Sequence, residues 1–196
     1  MESWVFKQPS LARLVARGQG DATGVNEDQT PVSELPRRGE PRVLRVNGRV
    51  HTVDVPDDTT LATVLRDRLG LKGLKVACNQ AACGACTVLL DGRAVFACHT
   101  LAAQVGDRTV TTVEALATGE TLHPLQAAFV EHDALQCGFC TPGMLVAILG
   151  ARNAQGTLDR EQLVRAISGN LCRCGAYGHI IDAALSAMGE AWDCHR

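Results

Sequence analysis

Residues 136–143 read Gln-Cys-Gly-Phe-Cys-Thr-Pro-Gly, and the second half of the chain is organised around this octapeptide. Two cysteines stand in front of a Thr-Pro-Gly turn, and proline is favoured in the first turn of a helix. A second close pair, Cys172-Arg173-Cys174, follows later in the chain. The two loops supply four thiolates, the ligand set of a tetrahedral metal ion or an iron–sulfur cluster. Taken alone, these residues leave zinc, a thiol–disulfide pair and a cluster open.

The apolar residues around both loops recur at helical spacing. We predict four short helices: one from His123 to near Asp133, one beginning at Thr141, one capped by Asp159 and one from about Ile180 to Met188. Short connections make such helices a compact bundle. Each cysteine loop then joins two helices, and the two loops are expected to face each other across one metal site.

Strand patterns fill the chain before residue 115. Apolar residues alternate over 43–46 and 50–55 around Asn47-Gly48, which is a strong hairpin signal. A helical pattern over 61–69 follows and ends at Gly70. Further strand patterns are found at 87–90, 94–97 and 109–113. The order hairpin, helix, hairpin, strand predicts a small mixed sheet holding one helix, and the fold class is therefore α+β.

A further set of cysteines lies between these strands. Cys78, Cys83 and Cys86 have the spacing of a plant-type [2Fe–2S] loop, and Cys98 is available as the fourth ligand. The small residues at 81–85 let the backbone approach the cluster and donate N–H groups to it. Zinc sites usually pair their ligands in two short knuckles, so this spacing favours iron–sulfur over zinc.

The bulk properties exclude several classes of protein. The chain has 196 residues, 46% of them hydrophobic, and a net charge of −2, which gives no argument for binding nucleic acid. We expect no membrane span and, because the N-terminus is acidic, no secretory signal. Arg37-Arg38 is read as part of a charged linker rather than a twin-arginine signal. Nine cysteines without a secretory signal indicate metal ligands in a cytoplasmic protein.

The two ends of the chain give less information. Residues 1–40 are predicted to form a flexible N-terminal extension, with a short amphipathic pattern near its start. Cys194 stands apart from the other cysteines and is interpreted as a bystander.

Three blocks, CGACTV at 83–88, the octapeptide at 136–143 and GNLCRCG at 169–175, carry a family resemblance. Over roughly residues 43–188 the chain resembles the iron–sulfur small subunit of the molybdenum hydroxylases, of the xanthine dehydrogenase and aldehyde oxidoreductase type. The resemblance implies a β-grasp, plant-type ferredoxin-like [2Fe–2S] domain over 41–115. It implies an all-α four-helix [2Fe–2S] domain over 116–192.

The resemblance also implies two ligand sets. The first cysteine group would hold one [2Fe–2S] cluster and consists of Cys78, Cys83, Cys86 and Cys98. The second cysteine group would hold the other cluster and consists of Cys137, Cys140, Cys172 and Cys174. By the same resemblance Gln136 would contact a pterin, and Cys174 would lie near it.

The implied role is that of an electron-transfer subunit in a multisubunit oxidoreductase. Electrons would come from a molybdopterin centre, in a dinucleotide form, on a large subunit. They would pass through the second and then the first group to FAD on a medium subunit. The substrate, an aldehyde or a purine by first expectation, would be oxidised on the partner chain. No catalytic acid, base or nucleophile is expected here, and His99, His123 and His132 are interpreted as structural.

Two alternative functions stay open on the residues. One is a stand-alone ferredoxin-like carrier, and the other is a zinc-stabilised interaction module. The chain also departs from the family pattern, since Ala77 and Ala81 stand where relatives often have glycine. If position 81 requires a positive φ, we expect an intact cluster with a somewhat altered potential.

Overall fold

A computed structural model of the chain describes residues 41–189. The predictions for the extension over 1–40 and for Cys194 concern residues outside this range.

The first half of the described chain forms a five-stranded mixed sheet, which with its helix we call the sheet lobe. Its strands are β1 (Arg42–Val46), β2 (Arg49–Val53), β3 (Thr87–Leu90), β4 (Arg93–Phe96) and β5 (Thr109–Thr111). Their order is β2-β1-β5-β3-β4, with β1 and β5 parallel and the other neighbours antiparallel. The last strand thus enters the centre of the sheet between the two hairpins.

The two hairpin turns follow from their sequences. Asn47 and Gly48 have φ of 50° and 73°, and Asp91 and Gly92 have φ of 48° and 76°. Asn-Gly and Asp-Gly are preferred where both central residues need a positive φ. Strands β4 and β5 end one and two residues earlier than predicted, because residues 97–99 and 113–115 close into 3₁₀ turns. Strand β2 ends at Val53, two residues before its predicted end.

The predicted helix of the sheet lobe is present but changes type midway. Helix α1 (Leu61–Thr63) continues as a π-helical turn over Val64–Arg68. The Thr60 hydroxyl caps it by accepting the Thr63 N–H at 3.3 Å. The apolar positions of both segments pack on the sheet, so that this helix and the inner sheet face make the lobe's core.

The predicted four helices follow and make the helical lobe. They are α2 (Pro124–Glu131), α3 (Thr141–Gln155), α4 (Arg160–Ile167) and α5 (Tyr177–Ala187). Capping boxes at His123 and Asp159 begin α2 and α4. Helix α5 begins at Tyr177 rather than near residue 180, because Gly175 takes a positive φ and Ala176 accepts the first helical bond, from Ile180. The predicted α+β class, with a β-grasp lobe before four helices, is confirmed.

The two lobes share an apolar boundary. Successive residues of β3 point to opposite faces, and Val88 and Leu90 enter the core of the sheet lobe while Leu89 enters that of the helical lobe. Helix α3 lies directly on this outer face: a Cβ added to Gly150 would come within 2.9 Å of Ala94. The lobes therefore pack into one compact unit.

Candidate metal centres

The first cysteine group takes three thiols from one loop of the sheet lobe and the fourth from a separate turn. Cys78, Cys83 and Cys86 lie between the π-helical turn and β3, and Cys98 lies in the 3₁₀ turn after β4. Cys86 and Cys98 are buried, while Cys78 and Cys83 are half-buried. The side chains interact in two pairs, Cys78 with Cys83 and Cys86 with Cys98.

The backbone of this loop turns its N–H groups toward sulfur. The amides of Gln80 and Ala82 both donate to the Cys78 Sγ at 3.4 Å. These two bonds, together with the Cys83 thiol, lower the pKa of the Cys78 thiol to about 7. Burial instead raises the pKa of Cys86 to about 12. Such amides would stabilise negative charge on a bound cluster.

The loop achieves this orientation with left-handed residues. Asn79 has φ of 53° and Ala81 has φ of 57°, a region in which a Cβ is strained. Ala81 therefore has the positive φ on which the expectation of an altered cluster potential depends. Ala77 is not among the residues of positive φ between 41 and 189.

The second cysteine group is assembled from two loops at helix starts. Cys137 and Cys140 precede α3, and Cys172 and Cys174 precede α5. The predicted facing of the two loops is observed, because the Cys137 side chain interacts with Cys174 and that of Cys140 with Cys172. Burial raises the pKa of Cys140 to about 12, while the Phe139 N–H lowers the pKa of Cys137.

The donor sets of both groups consist of thiols alone and fit a two-iron cluster. Two separated pairs of thiols suit two bridged irons, each taking one pair. The thiol-only donors and the amides aimed at sulfur fit a [2Fe–2S] cluster at the first group, and the paired thiols fit one at the second.

None of the eight cysteines among the described residues forms a disulfide bond.

The surroundings of the two groups differ in exposure. Cys137 and Cys174 are exposed, and so is Gln136, the residue expected to contact a pterin. Phe139 and Leu171 flank them with 45% and 59% of their surface exposed. The first group has no such apolar side chain directly beside Cys86 and Cys98, which are covered by the sheet lobe's own core. The second group therefore opens to the surface, and half of the first is enclosed.

Direct hydrogen bonds join the two cysteine groups. The Leu171 N–H donates to the Cys83 carbonyl at 2.9 Å. The Asn170 side chain donates to the Gly84 carbonyl at 2.9 Å and contacts the Thr87 hydroxyl at 3.2 Å. The sequence marked Asn170 only as part of a motif. Its position within a cysteine motif could have suggested a role, but the sequence does not show that its hydrogen-bond partner lies in the other cysteine loop.

Two histidines lie at the ends of helix α2. The His123 Nδ1 accepts the Leu125 N–H at 3.1 Å at the start of α2, and burial lowers the pKa of this ring. His132 is the C-cap residue of the same helix, and its carbonyl bonds the ring of His179 at 3.0 Å. His99 ends the 3₁₀ turn beside Cys98.

Between residues 41 and 189 no helix is long and apolar enough to cross a membrane.

Two known families match the chain. Residues 44–120 match the family described as "2Fe-2S iron-sulfur cluster binding domain". Residues 112–185 match the family described as "[2Fe-2S] binding domain".

Curated relatives match over most of their length. The nicotine 6-hydroxylase small subunit of Paenarthrobacter nicotinovorans is 48% identical over 147 residues, covering 75% of this chain and 88% of that protein. The aldehyde oxidoreductase iron-sulfur-binding subunit PaoA of Escherichia coli K12 is 40% identical over 176 residues, covering 82% and 75%.

Solved structures agree with this match. Quinoline 2-oxidoreductase from Pseudomonas putida 86 superimposes with a TM-score of 0.73 at 40% identity, over 78% of this chain and 94% of that chain. Aldehyde oxidoreductase from Desulfovibrio gigas gives a TM-score of 0.74 at 40% identity, over 77% of this chain and 17% of that chain.

Proposed function

The chain belongs to the family of small iron–sulfur subunits of the molybdenum hydroxylases, and we propose that it is the electron-transfer subunit of such a complex. The relatives of the chain include subunits of dehydrogenases as well as of an aldehyde oxidoreductase. The chain is accordingly a subunit of an oxidoreductase, with substrate oxidation assigned to a partner chain.

The proposed ligands are the two cysteine groups. A [2Fe–2S] cluster, when bound, accepts and releases one electron at a time. Cys78, Cys83, Cys86 and Cys98 hold one, in a domain proposed to span 41–115. Cys137, Cys140, Cys172 and Cys174 hold the other, in a domain proposed to span 116–192. The paired arrangement of the thiols and the amides donating to Cys78 support this assignment.

The second group is the proposed entry for electrons. Its exposed thiols lie beside exposed Gln136, which we assign to a contact with a molybdopterin, of the dinucleotide form, on a large subunit. Cys174 then lies near that pterin. The exposed Phe139 and Leu171 supply apolar surface for the partner chain.

The first group is the proposed exit. Cys78 and Cys83 are the half-buried members of that group, and they face an acceptor that we assign as FAD on a medium subunit. The partners are thus two further chains in a hetero-oligomer. Since the relatives include proteins named for nicotine and for aldehydes, we propose an aldehyde or an N-heterocycle such as a purine as the substrate of the complex.

The difference in exposure between the two groups, within one compact unit, is the observation that carries this proposal. A relay between two partners needs one centre open to the donor and a second centre nearby. A carrier without a fixed partner does not need the exposed surface that residues 136–143 form beside the second group.

Purification of the chain with its co-purifying partners tests the proposal. We expect red-brown protein, two distinct EPR signals after reduction, and a molybdopterin-binding chain in the same complex. Colourless protein with stoichiometric zinc would contradict the electron-transfer role. Coloured protein that never associates with a molybdopterin-binding chain would support the stand-alone carrier instead.

A further inference from the structure

We propose that Asn170 is a positioning residue that fixes the separation of the two clusters by locking their cysteine loops together at the carbonyl oxygen of Gly84. This inference rests on the proposed function, because it assumes that both cysteine groups hold clusters.

The Gly84 carbonyl is the point where the bonds converge. It accepts the Thr87 N–H at 3.1 Å, the Thr87 hydroxyl at 2.6 Å and the Asn170 amide at 2.9 Å. Asn170 is only 4% exposed, and three buried polar side chains occur within residues 41–189, of which Asn170 and Thr87 meet here. A buried amide costs free energy unless its bonds are made, so this geometry is closely constrained.

The junction lies directly between the ligands of both groups. Gly84 follows Cys83, and Leu171 precedes Cys172. Because the Leu171 N–H donates to the Cys83 carbonyl at 2.9 Å, the route from Cys172 to Cys83 crosses one hydrogen bond and otherwise follows covalent bonds. Asn170 is the neighbour of Leu171 and orients that bond.

Close packing leaves the junction little freedom to move. A Cβ at Gly84 would lie 2.5 Å from the Gly169 carbonyl, and a Cβ at Gly143 would lie 2.5 Å from the Gly84 carbonyl. The three sequence blocks that carry the family resemblance thus meet at one oxygen atom. Glycine is required at these two positions because the backbones approach each other directly.

Tyr177 holds the same junction from the other side. Its hydroxyl donates to the Asn170 carbonyl at 3.2 Å and accepts the Cys172 N–H at 2.8 Å. The backbone of Asn170 is thereby tied to the start of helix α5 and to a ligand of the second cluster.

Two variants test the proposal in the purified complex. Asn170→Asp keeps the size of the side chain but removes the N–H donor and places a carboxylate against the Gly84 carbonyl. Gly143→Ala keeps every polar group but forces α3 away from that oxygen. Electron transfer between two fixed centres weakens exponentially with their separation, so that each added ångström lowers the rate severalfold. We therefore expect electron transfer between the clusters to slow severalfold in both variants.

The direct measurement is EPR of the fully reduced complex. Two nearby paramagnetic centres split or broaden each other's signals, and this interaction falls with the cube of their separation. We expect both variants to keep both signals at the wild-type spin count while the splitting decreases. A residue with a merely stabilising role would leave the splitting unchanged.

The chain offers a matched control for Asn170→Asp. Asn153 also donates an amide from the helical lobe to a glycine carbonyl of the sheet lobe, that of Gly92 at 3.2 Å, but at an exposed site. Asn153→Asp should retain the wild-type splitting and rate.

The outcomes separate this inference from the proposed function. Wild-type splitting and rate in both Asn170→Asp and Gly143→Ala would overturn the role of Asn170, as would an equal loss in Asn153→Asp. If Asn170→Asp fails to assemble its clusters, Gly143→Ala decides by the same measurement. A wild-type complex without two signals would instead overturn the proposed function, and this inference with it.

Discussion

The two cysteine groups bring four thiols together in different ways. The first places three of its thiols within nine residues of one loop, and backbone amides of that loop donate to Cys78. The second takes two thiols from each of two loops that are brought together by four packed helices. A local site can form when its loop folds, whereas the second exists only once the bundle has formed. Metal binding and folding should therefore be linked more strongly in the helical lobe.

Substitution of a single cysteine ligand should remove one cluster and leave the other in place, which is the largest change that we expect. Cys172→Ser should abolish one EPR signal of the reduced complex and leave the other, because it removes a ligand from the second group alone. Cys86→Ser should abolish the complementary signal. Spin quantitation against wild type measures both losses.

The ninth cysteine provides the control for these substitutions. Cys194→Ser should retain both signals, since the sequence places it outside either group. Loss of both signals in Cys172→Ser would show that the two centres do not assemble independently.

A leucine at the boundary between the two lobes should contribute to the stability of both. Leu89 lies on a strand of the sheet lobe, yet its side chain is buried in the helical core. Leu89→Ala should lower the free energy of unfolding by about 2–5 kcal/mol, from lost burial and the cavity left behind. Urea unfolding followed by circular dichroism and by cluster absorbance provides the measurement.

Leu90→Ala is the matched substitution, because Leu90 points into the core of the sheet lobe. If the lobes unfold as one unit, both variants should shift a single transition seen by both probes. Two separate transitions, with each variant shifting only one, would show that the lobes are independent.

A smaller effect is expected at the start of α2. His123→Ala removes the cap that accepts the Leu125 N–H, which costs about 1 kcal/mol, and His123→Asn should restore much of it. Thermal unfolding checks both values. An equal loss in His123→Asn would mean that the ring acts through packing and not as a cap.

The same cap predicts a pH dependence. Burial and the nearby Arg152 lower the pKa of His123, so the fold favours the neutral ring. The contribution of the neutral ring to the free energy of unfolding is complete at pH values above 6.5, the pKa of the ring in the unfolded chain. It decreases as the pH falls below that value. Wild type should therefore lose more stability than His123→Asn between neutral and mildly acidic pH. Parallel losses in the two proteins would contradict this assignment.

Features that depend on neighbouring residues could be predicted from the sequence, and features that depend on residues far apart in the chain could not. The turn at Asn47-Gly48 and the cap at Asp159 depend on neighbouring residues, and both were predicted correctly. The π-helical turn after α1 was not predicted, because π turns have no local spacing signal. Asn170 could not be given a role, because its partner Gly84 is 86 positions away.

The smallest expected effect concerns strain in the first group. Ala81 has φ of 57°, and the next residue, Ala82, donates its N–H to the Cys78 Sγ. Ala81→Gly removes the Cβ penalty and lets this amide relax relative to the sulfur. Since hydrogen bonds to sulfur tune the potential, we expect the midpoint potential of the first cluster alone to shift by roughly tens of millivolts.

An EPR-monitored redox titration measures this shift, with the second cluster as the internal reference. Ala77→Gly is the matched control, because Ala77 also stands where relatives often have glycine but does not have a positive φ. It should leave both potentials in place. An unchanged potential in Ala81→Gly would mean that the loop holds its amides in position without help from residue 81. The first group would then owe its potential to burial of Cys86 and Cys98 rather than to loop geometry.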